Sequence, residues 1–364
     1  MNFPTNVGEI TSEWLTGALR SADIIGDATV TSFETTIIGE GAGLIGQLAR
    51  LTLEYDQPEA GSPKAVIAKA PAEAAANRQL GDLFRFYERE CRFYRDLATR
   101  VTLRTPQAYF VGMDVDRGDF MLLLEDLAPA LVGDQLKGCT SDEVDLALRE
   151  LAKFHADWWQ SPRLDELEWM PSVNDALIVG VQMQAYQAIW DQFLDRFQSR
   201  LTSSMLRTAE RFGEHYDKMT ARLAEPPYTI AHGDYRLDNM FFGTDGGAPV
   251  LTVIDWQIAT KARVVFDVAY FLTGTLEPNE RRSAEIDILK AYHRNLAADG
   301  VEDYSYEQCL HDYRLSALFL LAYAVIGGGG LDLANERAVA LTNAIVDRNF
   351  AAVEDLEAAD LLPA

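Results

Sequence analysis

The amino-acid sequence predicts an α+β protein with two lobes: a small N-terminal lobe with an antiparallel sheet plus one helix, and a larger, mostly helical C-terminal lobe. Two observations predict this division. Strand-like segments surround one helical segment in the first third of the chain, whereas helical periodicity dominates from Ser141 onward. The length of 364 residues also fits two domains, since domains usually have about 100–200 residues. We expect the lobes to be residues 1–126 and 127–364.

Alternation and β-branched residues predict the strands of the small lobe. Residues 30–38 alternate loosely, a glycine cluster follows, and residues 48–55 resume the alternation. This order is typical of a strand, a glycine-rich turn and a second strand. Further strands are predicted at residues 65–70, 107–111 and 120–124. Residues 77–97 have apolar positions at helical spacing and predict the single helix of this lobe.

Helical patterns predict the large lobe. A helix capped by Ser141 has apolar positions at Val144, Leu148 and Leu151. Helical periodicity continues over residues 177–223 and returns over residues 279–359, with an interruption at glycines 327–330. Between these stretches, residues 228–272 combine short apolar strands with polar loops, and this region contains most of the candidate functional residues.

The composition disfavours several partners and sites. With 32 Lys+Arg against 56 Asp+Glu, the net charge is −24, whereas nucleic acids and anionic membranes require basic patches. Three dispersed cysteines without a CxxC pair predict neither a zinc ribbon nor a disulfide framework. The N-terminal residues lack a signal-peptide pattern, and the longest apolar run, residues 316–326, is too short to span a bilayer. We therefore expect a cytoplasmic protein in which this run is a buried helix.

Gly41, Gly43 and Gly46 form a G-x-G-x-x-G pattern. In a dinucleotide-binding fold such glycines precede a helix whose N terminus holds a pyrophosphate. Here the following residues alternate like a strand, which favours a glycine-rich hairpin whose backbone covers nucleotide phosphates. A hairpin without any ligand stays open as an interpretation.

Lys69 ends the apolar strand at residues 65–70. A lysine in such a strand needs an anionic partner, because burying an unpaired charge is costly. Glu90, on the helix that follows, is the candidate partner. The alternative is a lysine at a strand end that points to water.

The segment from His232 to Asn239 reads H-G-D-Y-R-L-D-N, and Asp255 follows an apolar strand at residues 250–254. Carboxylate and amide oxygens on loops beside short strands suit Mg²⁺, which takes few protein ligands. A carboxylate that does not bind metal can orient a hydroxyl and accept its proton. Taken alone, H-G-D is equally consistent with a loop that contains a structural aspartate.

Together these motifs resemble the kinase-like phosphotransferases, in which a glycine loop, a strand lysine, a helix glutamate, an H-R-D-type loop and a D-F-G-type aspartate occur in this order. The H-G-D and D-W-Q forms are similar to those of the aminoglycoside phosphotransferase and choline kinase superfamily. Residues 253–272 resemble its ecdysteroid-kinase-like (CHK-type) branch. The resemblance implies a protein-kinase-like fold and a small-molecule kinase that uses ATP, or GTP, with Mg²⁺.

The resemblance also implies catalytic roles for the second half of the pattern. Asp234 would orient or deprotonate the acceptor hydroxyl, and Arg236 would stabilise charge in the transition state. Asn239 and Asp255 would hold Mg²⁺. Asp267 would brace the catalytic loop.

For the nucleotide, the resemblance implies contacts from the small lobe. Lys69, positioned by Glu90, would contact the α- and β-phosphates. Glu125 and Leu127 would belong to the hinge that binds adenine through its backbone. The phosphate-covering loop would contain Gly41, Gly43 and Gly46.

Departures from the protein-kinase pattern favour a small-molecule hydroxyl as acceptor. Gly233 replaces the arginine of H-R-D, and Gln257 replaces the glycine of D-F-G. Only eleven residues, 256–266, separate Asp255 from Asp267, which leaves no room for a peptide-docking segment. Two alternatives remain: a pseudokinase that binds a nucleotide or metabolite without transfer, and an NAD-dependent oxidoreductase suggested by the glycine motif alone. The sequence specifies neither the acceptor nor an oligomeric state.

Overall fold

The computed structural model describes residues 2–39, 46–330 and 335–363. The chain divides into two compact units. The first is Met1–Ala130 with Thr252–Ile258, and the second is Leu131–Leu251 with Ala259–Ala364. The sequence pattern places a boundary after residue 126 and contains no signal for the return of Thr252–Ile258 to the first unit.

The first unit is built on a five-stranded antiparallel sheet with spatial order β1-β2-β3-β5-β4. Its strands are β1 (Val30–Ile38), β2 (Gly46–Tyr55), β3 (Ala65–Pro71), β4 (Ala108–Asp114) and β5 (Asp119–Glu125). The central strand is β3, where Lys69 pairs with Leu48 on one side and Leu122 on the other. Buried apolar residues of the sheet, such as Leu51 and Met121, form the core of this unit. The backbone of Lys69 is therefore fixed from both sides.

Helices of the first unit differ from the single helix expected. They are α1 (Ser12–Ser21), α2 (Ala75–Leu83) and α3 (Phe86–Arg92), followed by a π-helical turn at Phe93–Leu97. The unexpected α1 is capped by Thr11 and buries Leu15 and Leu19. The helix predicted over residues 77–97 is broken after α2, where Arg85 has a φ of 55°. Close packing accompanies this break, since a β-carbon at Gly81 would lie 2.5 Å from the ring of Tyr87.

The second unit is mostly helical. Its helices are α4 (Ser141–Asp157), α5 (Ala176–Phe197), α6 (Ser203–Glu214), α7 (Tyr216–Leu223), α8 (Phe266–Thr275), α9 (Pro278–Ala298), α10 (Tyr306–Phe319), α11 (Leu321–Gly329) and α12 (Glu336–Asp355). The cap predicted for α4 is wrong by one residue. Thr140 is the N-cap, because Glu143 completes a reciprocal capping box with it.

Residues 316–326 lie in a longer helical stretch than the apolar run suggests. Tyr306–Gly329, which contains α10 and α11, has the length and composition of a membrane span, but 72% of its most apolar window is buried inside the protein. Buried core helices of globular proteins share this length and composition. The prediction of a buried helix is confirmed by the burial of Leu318, Leu321 and Val325, although the helical stretch extends beyond the apolar run at residues 316–326.

Two short sheets carry the motif region. One contains β6 (Leu131–Val132), β8 (Met240–Asp245) and β9 (Ala248–Val253), and in the other β7 (Tyr228–Ala231) pairs antiparallel with β10 (Thr260–Arg263). His232 directly follows β7, and Asp255 lies two residues beyond β9. The predicted α+β class, with an N-terminal antiparallel sheet and a helical remainder, is confirmed.

Candidate active site

Lys69 lies at the centre of a buried ion triplet in the first unit. Its Nζ is 2.8 Å from Oε1 and 2.7 Å from Oε2 of Glu90, and 3.2 Å from Oδ1 of Asp255. The side chains of Lys69 and Glu90 are 10% and 2% exposed, whereas that of Asp255 is 24% exposed. The predicted pairing of Lys69 with Glu90 is confirmed, and the alternative of a lysine pointing to water is wrong.

The charges of this triplet depend on one another. Burial raises the pKa of Glu90 above its ordinary value, although Lys69 opposes the shift. Burial alone would lower the pKa of Lys69, but Asp255 and Glu90 together raise it above its ordinary value. Lys69 is therefore a stable cation beside one carboxylate that is partly open to solvent.

Asp255 occupies a strained backbone position. Its φ is 67°, in the left-handed region that costs a non-glycine residue about 1–2 kcal/mol. The next residue, Trp256, is fully buried, and its Nε1 donates to the carbonyl of Val253 at 3.2 Å. Gln257 Nε2 lies 3.4 Å from Asp255 Oδ2. Packing around Trp256 thus maintains a conformation that the chain would otherwise avoid.

Of the three motif glycines, only Gly46 can be placed, because Gly41 and Gly43 lie outside the described residues. Gly46 begins β2 opposite Pro71 of β3. A β-carbon at Gly46 would lie 3.2 Å from the carbonyl oxygen of Ala70 and 3.3 Å from Cε of Lys69. Glycine here therefore prevents crowding of the lysine side chain.

The predicted hinge residues follow β5. The Glu125 N–H donates to the carbonyl of Gln107 at 2.8 Å, and its carboxylate accepts from Arg104 at 3.0 Å and from the Gln107 N–H at 3.1 Å. The carbonyl of Leu127 accepts from the Ala130 N–H at 2.9 Å. Within the described ranges the N–H of Leu127 has no hydrogen-bond partner, so it can donate to a ligand.

Asp234 is the centre of a second group, in the second unit. Its Oδ1 accepts from the Tyr270 hydroxyl at 2.6 Å and lies 3.1 Å from Arg236 Nε, and its Oδ2 accepts from Asn239 Nδ2 at 2.9 Å. Burial raises the pKa of Asp234, but Arg236 and the hydrogen bond from Tyr270 outweigh it, so the pKa lies below its ordinary value. The carboxylate is therefore ionised, and both of its oxygens accept hydrogen bonds.

Asp267, in the first turn of α8, fixes the backbone that precedes Asp234. Its Oδ2 accepts from the N–H of His232 at 2.7 Å, and its Oδ1 accepts from the N–H of Gly233 at 2.9 Å. His155 is fully buried, with Nε2 3.3 Å from Asp267 Oδ2 and Nδ1 2.7 Å from the Tyr292 hydroxyl. The prediction that Asp267 braces this loop is confirmed.

The guanidinium of Arg236 lies between two carboxylates. Its Nε is 3.1 Å from Asp234 Oδ1, and its NH1 is 3.4 Å from Asp238 Oδ2. Asp238 Oδ1 in turn lies 3.2 Å from Arg337 at the start of α12. The sequence motif gave no indication of this chain of charges.

Tyr270 is the residue that the motif analysis missed. It contacts Asp234 although 36 residues separate them in the chain. One signal was available: Tyr270 comes three residues after Asp267 on the same helix, and residues at that spacing lie on one face.

The oxygens of Asn239 and Asp255 are of the type that Mg²⁺ accepts. Asn239 uses its Nδ2 to donate to the carbonyl and to Oδ2 of Asp234, at 3.0 and 2.9 Å. Within the described ranges its Oδ1 receives no hydrogen bond, so it can face a cation. Among the described residues there is no cluster of three or more His, Cys, Asp or Glu side chains that could hold a metal ion.

Three solved structures share the fold at low sequence identity. Choline kinase from Cryptosporidium parvum Iowa II is 9% identical, with a TM-score of 0.58 and coverage of 97% of this chain and 98% of that one. Plasmodium vivax ethanolamine kinase is 11% identical, with a TM-score of 0.54 and coverage of 90% and 85%. The GDP and kanamycin complex of APH(2″)-IIIa is 15% identical, with a TM-score of 0.53 and coverage of 96% and 99%. The predicted kinase-like fold is confirmed.

One curated relative matches a short segment. Mouse acyl-CoA dehydrogenase family member 10 is 34% identical over 87 residues, or 23% of this chain. The chain covers 8% of the length of that protein, so the activity of the mouse protein does not transfer to this chain.

The family match is far more extensive. It covers residues 40–303, a range that contains every site residue predicted from the sequence. This range exceeds half of the chain and holds both the Lys69 triplet and the loop around Asp234. The protein belongs to the ecdysteroid kinase-like family.

Proposed function

We propose that this protein transfers the γ-phosphoryl group of ATP, or of GTP, to a hydroxyl of a small molecule. The observation that carries the proposal is the ion triplet of Lys69, Glu90 and Asp255 in a member of a kinase-like family. Burying a lysine with two carboxylates carries a desolvation penalty, so such a triplet is weak evidence for a purely stabilising role. A role in phosphate binding explains why the charges are kept. The kinase-like motifs also occur in the expected order along the chain, which supports phosphoryl transfer.

The nucleotide-binding role is assigned to the first unit. Lys69, held by Glu90, is charged and contacts the α- and β-phosphates in this proposal. The N–H of Leu127, which has no partner among the described residues, and the backbone of Glu125 serve adenine, and the glycine segment from Gly41 to Gly46 covers the phosphates. APH(2″)-IIIa forms a complex with GDP, so both ATP and GTP are candidate donors.

We assign Asn239 and Asp255 as magnesium ligands, each through one oxygen. Bound Mg²⁺ would neutralise charge on the phosphate oxygens during transfer. The contribution of the chain is to orient those ligands: Asn239 through its two hydrogen bonds to Asp234, and Asp255 through its contact with Lys69.

Asp234 is the proposed base. The acceptor hydroxyl gives its proton to the carboxylate while its oxygen bonds to the γ-phosphorus. The bond from that phosphorus to the bridging oxygen breaks, and the nucleoside diphosphate leaves. The lowered pKa of Asp234 keeps it ionised and ready to accept a hydrogen bond from the acceptor. Arg236 is the candidate for stabilising negative charge as it develops.

The acceptor class is proposed to be a small molecule. Residues 256–266 leave no length for a peptide-docking segment between Asp255 and Asp267. Kinases with this fold include those named for choline and ethanolamine, and APH(2″)-IIIa forms a complex with kanamycin. The net charge of −24 disfavours nucleic acid as a partner.

The test is transfer to a panel of hydroxyl compounds. Purified protein is incubated with ATP or GTP, Mg²⁺ and aminoglycosides, amino alcohols, sugars or steroid alcohols, and products are detected by the mass of an added phosphoryl group. Asp234→Asn should lower turnover by about 100-fold or more, because a positioned base contributes about that much. Asp245→Asn, at an exposed position of β8, should keep the wild-type rate.

Two results would contradict the proposal. One is the absence of Asp234-dependent transfer to every acceptor, water included. The other is stabilisation by NAD but not by ATP or GTP with Mg²⁺ in a thermal-shift comparison, since a specific ligand raises apparent stability by mass action.

A further inference from the structure

Tyr270 makes a short hydrogen bond to the candidate base. Its hydroxyl donates to Asp234 Oδ1 at 2.6 Å, and burial and the neighbouring Asp234 raise its pKa well above the ordinary tyrosine value. Tyr270 therefore stays protonated and acts as a donor, not as a base. A charge-assisted bond of this kind is stronger than one between neutral groups.

The hydrogen bonds of Asp234 distinguish its two oxygens. Each carboxylate oxygen has about two acceptor positions. Oδ1 accepts from the Tyr270 hydroxyl and also lies 3.1 Å from the cationic guanidinium of Arg236, whereas among the described residues Oδ2 accepts from Asn239 alone. Oδ2 thus retains one position for a further donor.

We propose that Tyr270 is a positioning residue that fixes the plane of the Asp234 carboxylate and directs the free position of Oδ2 to the acceptor hydroxyl. This inference rests on the proposed function, because it concerns how the base receives its proton. Orientation of a base within hydrogen-bond reach is a large part of its catalytic effect.

One helix provides both restraints on the loop. On α8, Asp267 holds the amides of His232 and Gly233, and Tyr270, three residues later, holds the side chain of Asp234. Backbone and carboxylate are therefore oriented by the same rigid element. A rigid support of this kind is what a catalytic side chain requires.

The matched variants are Tyr270→Phe and Tyr235→Phe. Both remove one hydroxyl from a tyrosine in the second unit, but the Tyr235 hydroxyl donates to the carbonyl of Ala147, at 2.8 Å, and not to Asp234. Tyr270→Phe should lower kcat by about tenfold, the size of one lost hydrogen bond, with the nucleotide KM changed by less than about twofold. Tyr235→Phe should affect thermal stability without this selective loss of kcat.

A second measurement is independent of activity. The unfolding free energies of wild type, Tyr270→Phe, Asp234→Ala and the double variant form a cycle, in which contacting residues give a non-additive result. We expect non-additivity for Tyr270 with Asp234.

The outcomes separate the two claims. If the wild type transfers phosphate with Asp234 dependence but Tyr270→Phe has an unchanged or higher kcat, the positioning role is overturned while the proposed function stands. Equal loss of kcat in both tyrosine variants, in proportion to lost stability, also overturns it. If no Asp234-dependent transfer exists, the proposed function fails, and the stability cycle alone then tests the contact. An additive cycle would overturn the orientation of Asp234 by Tyr270, whereas a non-additive cycle would support it.

Discussion

The ring of Phe93 stacks on the indole of Trp256, with centroids 3.9 Å apart and planes inclined by 6°. Both side chains are fully buried. Phe93 lies three residues after Glu90, and Trp256 directly follows Asp255. The stack therefore joins the two segments whose carboxylates flank Lys69, and it connects packing in the first unit to the geometry of the ion triplet.

Replacing Trp256 by alanine should loosen this triplet. We expect a loss of about 3 kcal/mol in the free energy of unfolding, because the change removes a fully buried aromatic ring. The position of Asp255 should relax with it, so the thermal shift produced by ATP with Mg²⁺ should fall. Urea unfolding and thermal-shift titration measure the two effects.

The matched control is Trp14→Ala in the same unit. Trp14 contacts Phe110, with ring centroids 5.1 Å apart, and takes no part in the triplet. It should cost stability but leave the nucleotide-induced shift intact. Equal nucleotide effects in the two variants would show that the Phe93–Trp256 stack has no special connection to the triplet.

Asp267→Asn should impair the loop that carries Asp234. The asparagine keeps one acceptor oxygen but places an amide donor against the N–H of either His232 or Gly233. A buried donor left unsatisfied costs about 1–3 kcal/mol, so both stability and kcat should fall. Denaturant unfolding and the transfer assay check this, with the exposed Asp245→Asn as control. An Asp267→Asn protein with wild-type kcat would refute the bracing role in catalysis.

The motif order predicted much of this site because it constrains local geometry. An apolar strand that ends in Lys69 and a helix that carries Glu90 imply a pair, since a buried lysine needs an anion. The role of Asp267 was implied by the family resemblance, through its place after Asp255. The Lys69–Glu90 pair differs, because the strand and the helix that carry these two residues can be read from periodicity.

The contact of Tyr270 with Asp234 was not predicted. The three-residue spacing from Asp267 places Tyr270 on the same face of a helix, but the motif does not show that a helix begins there or that this face meets Asp234. The break at Arg85 was also missed, because apolar spacing continues through residues 77–97 although the backbone turns left-handed there. The carboxylate partners of Arg236 depend on side-chain torsions that no sequence pattern specifies.

Replacing glycine by alanine at two different positions should change the free energy of unfolding in opposite directions. Gly233 has a φ of 85°, so Gly233→Ala should cost about 1–2 kcal/mol and displace the amide bound by Asp267. Gly180 lies inside α5, and a β-carbon there would have no atom within 4 Å. Gly180→Ala should therefore stabilise by about 0.5–1 kcal/mol. Chemical denaturation measures both, and destabilisation by Gly180→Ala or neutrality of Gly233→Ala would contradict the assignment.

Lys69→Met should make stability strongly dependent on pH. Burial already raises the folded-state pKa of Glu90 above its reference value of 4.5, so stability is lost as the pH rises through the folded-state pKa. Without Lys69 that pKa rises further, and ionised Glu90 is left buried and unpaired. The variant should lose about 3 kcal/mol at pH 8, but clearly less at pH 5, where Glu90 is largely protonated in the folded state.

The double variant Lys69→Met/Glu90→Gln isolates the cause of this pH dependence. The double variant lacks the ionisable carboxyl of Glu90, so its stability should not fall as the pH rises. Its unfolding free energy should therefore exceed that of Lys69→Met by an amount that grows from pH 5 to pH 8. Urea denaturation across that range measures it. If Lys69→Met loses the same stability at pH 5 as at pH 8, then Glu90 is not the group whose buried charge Lys69 compensates, and Asp255 would be its principal partner instead.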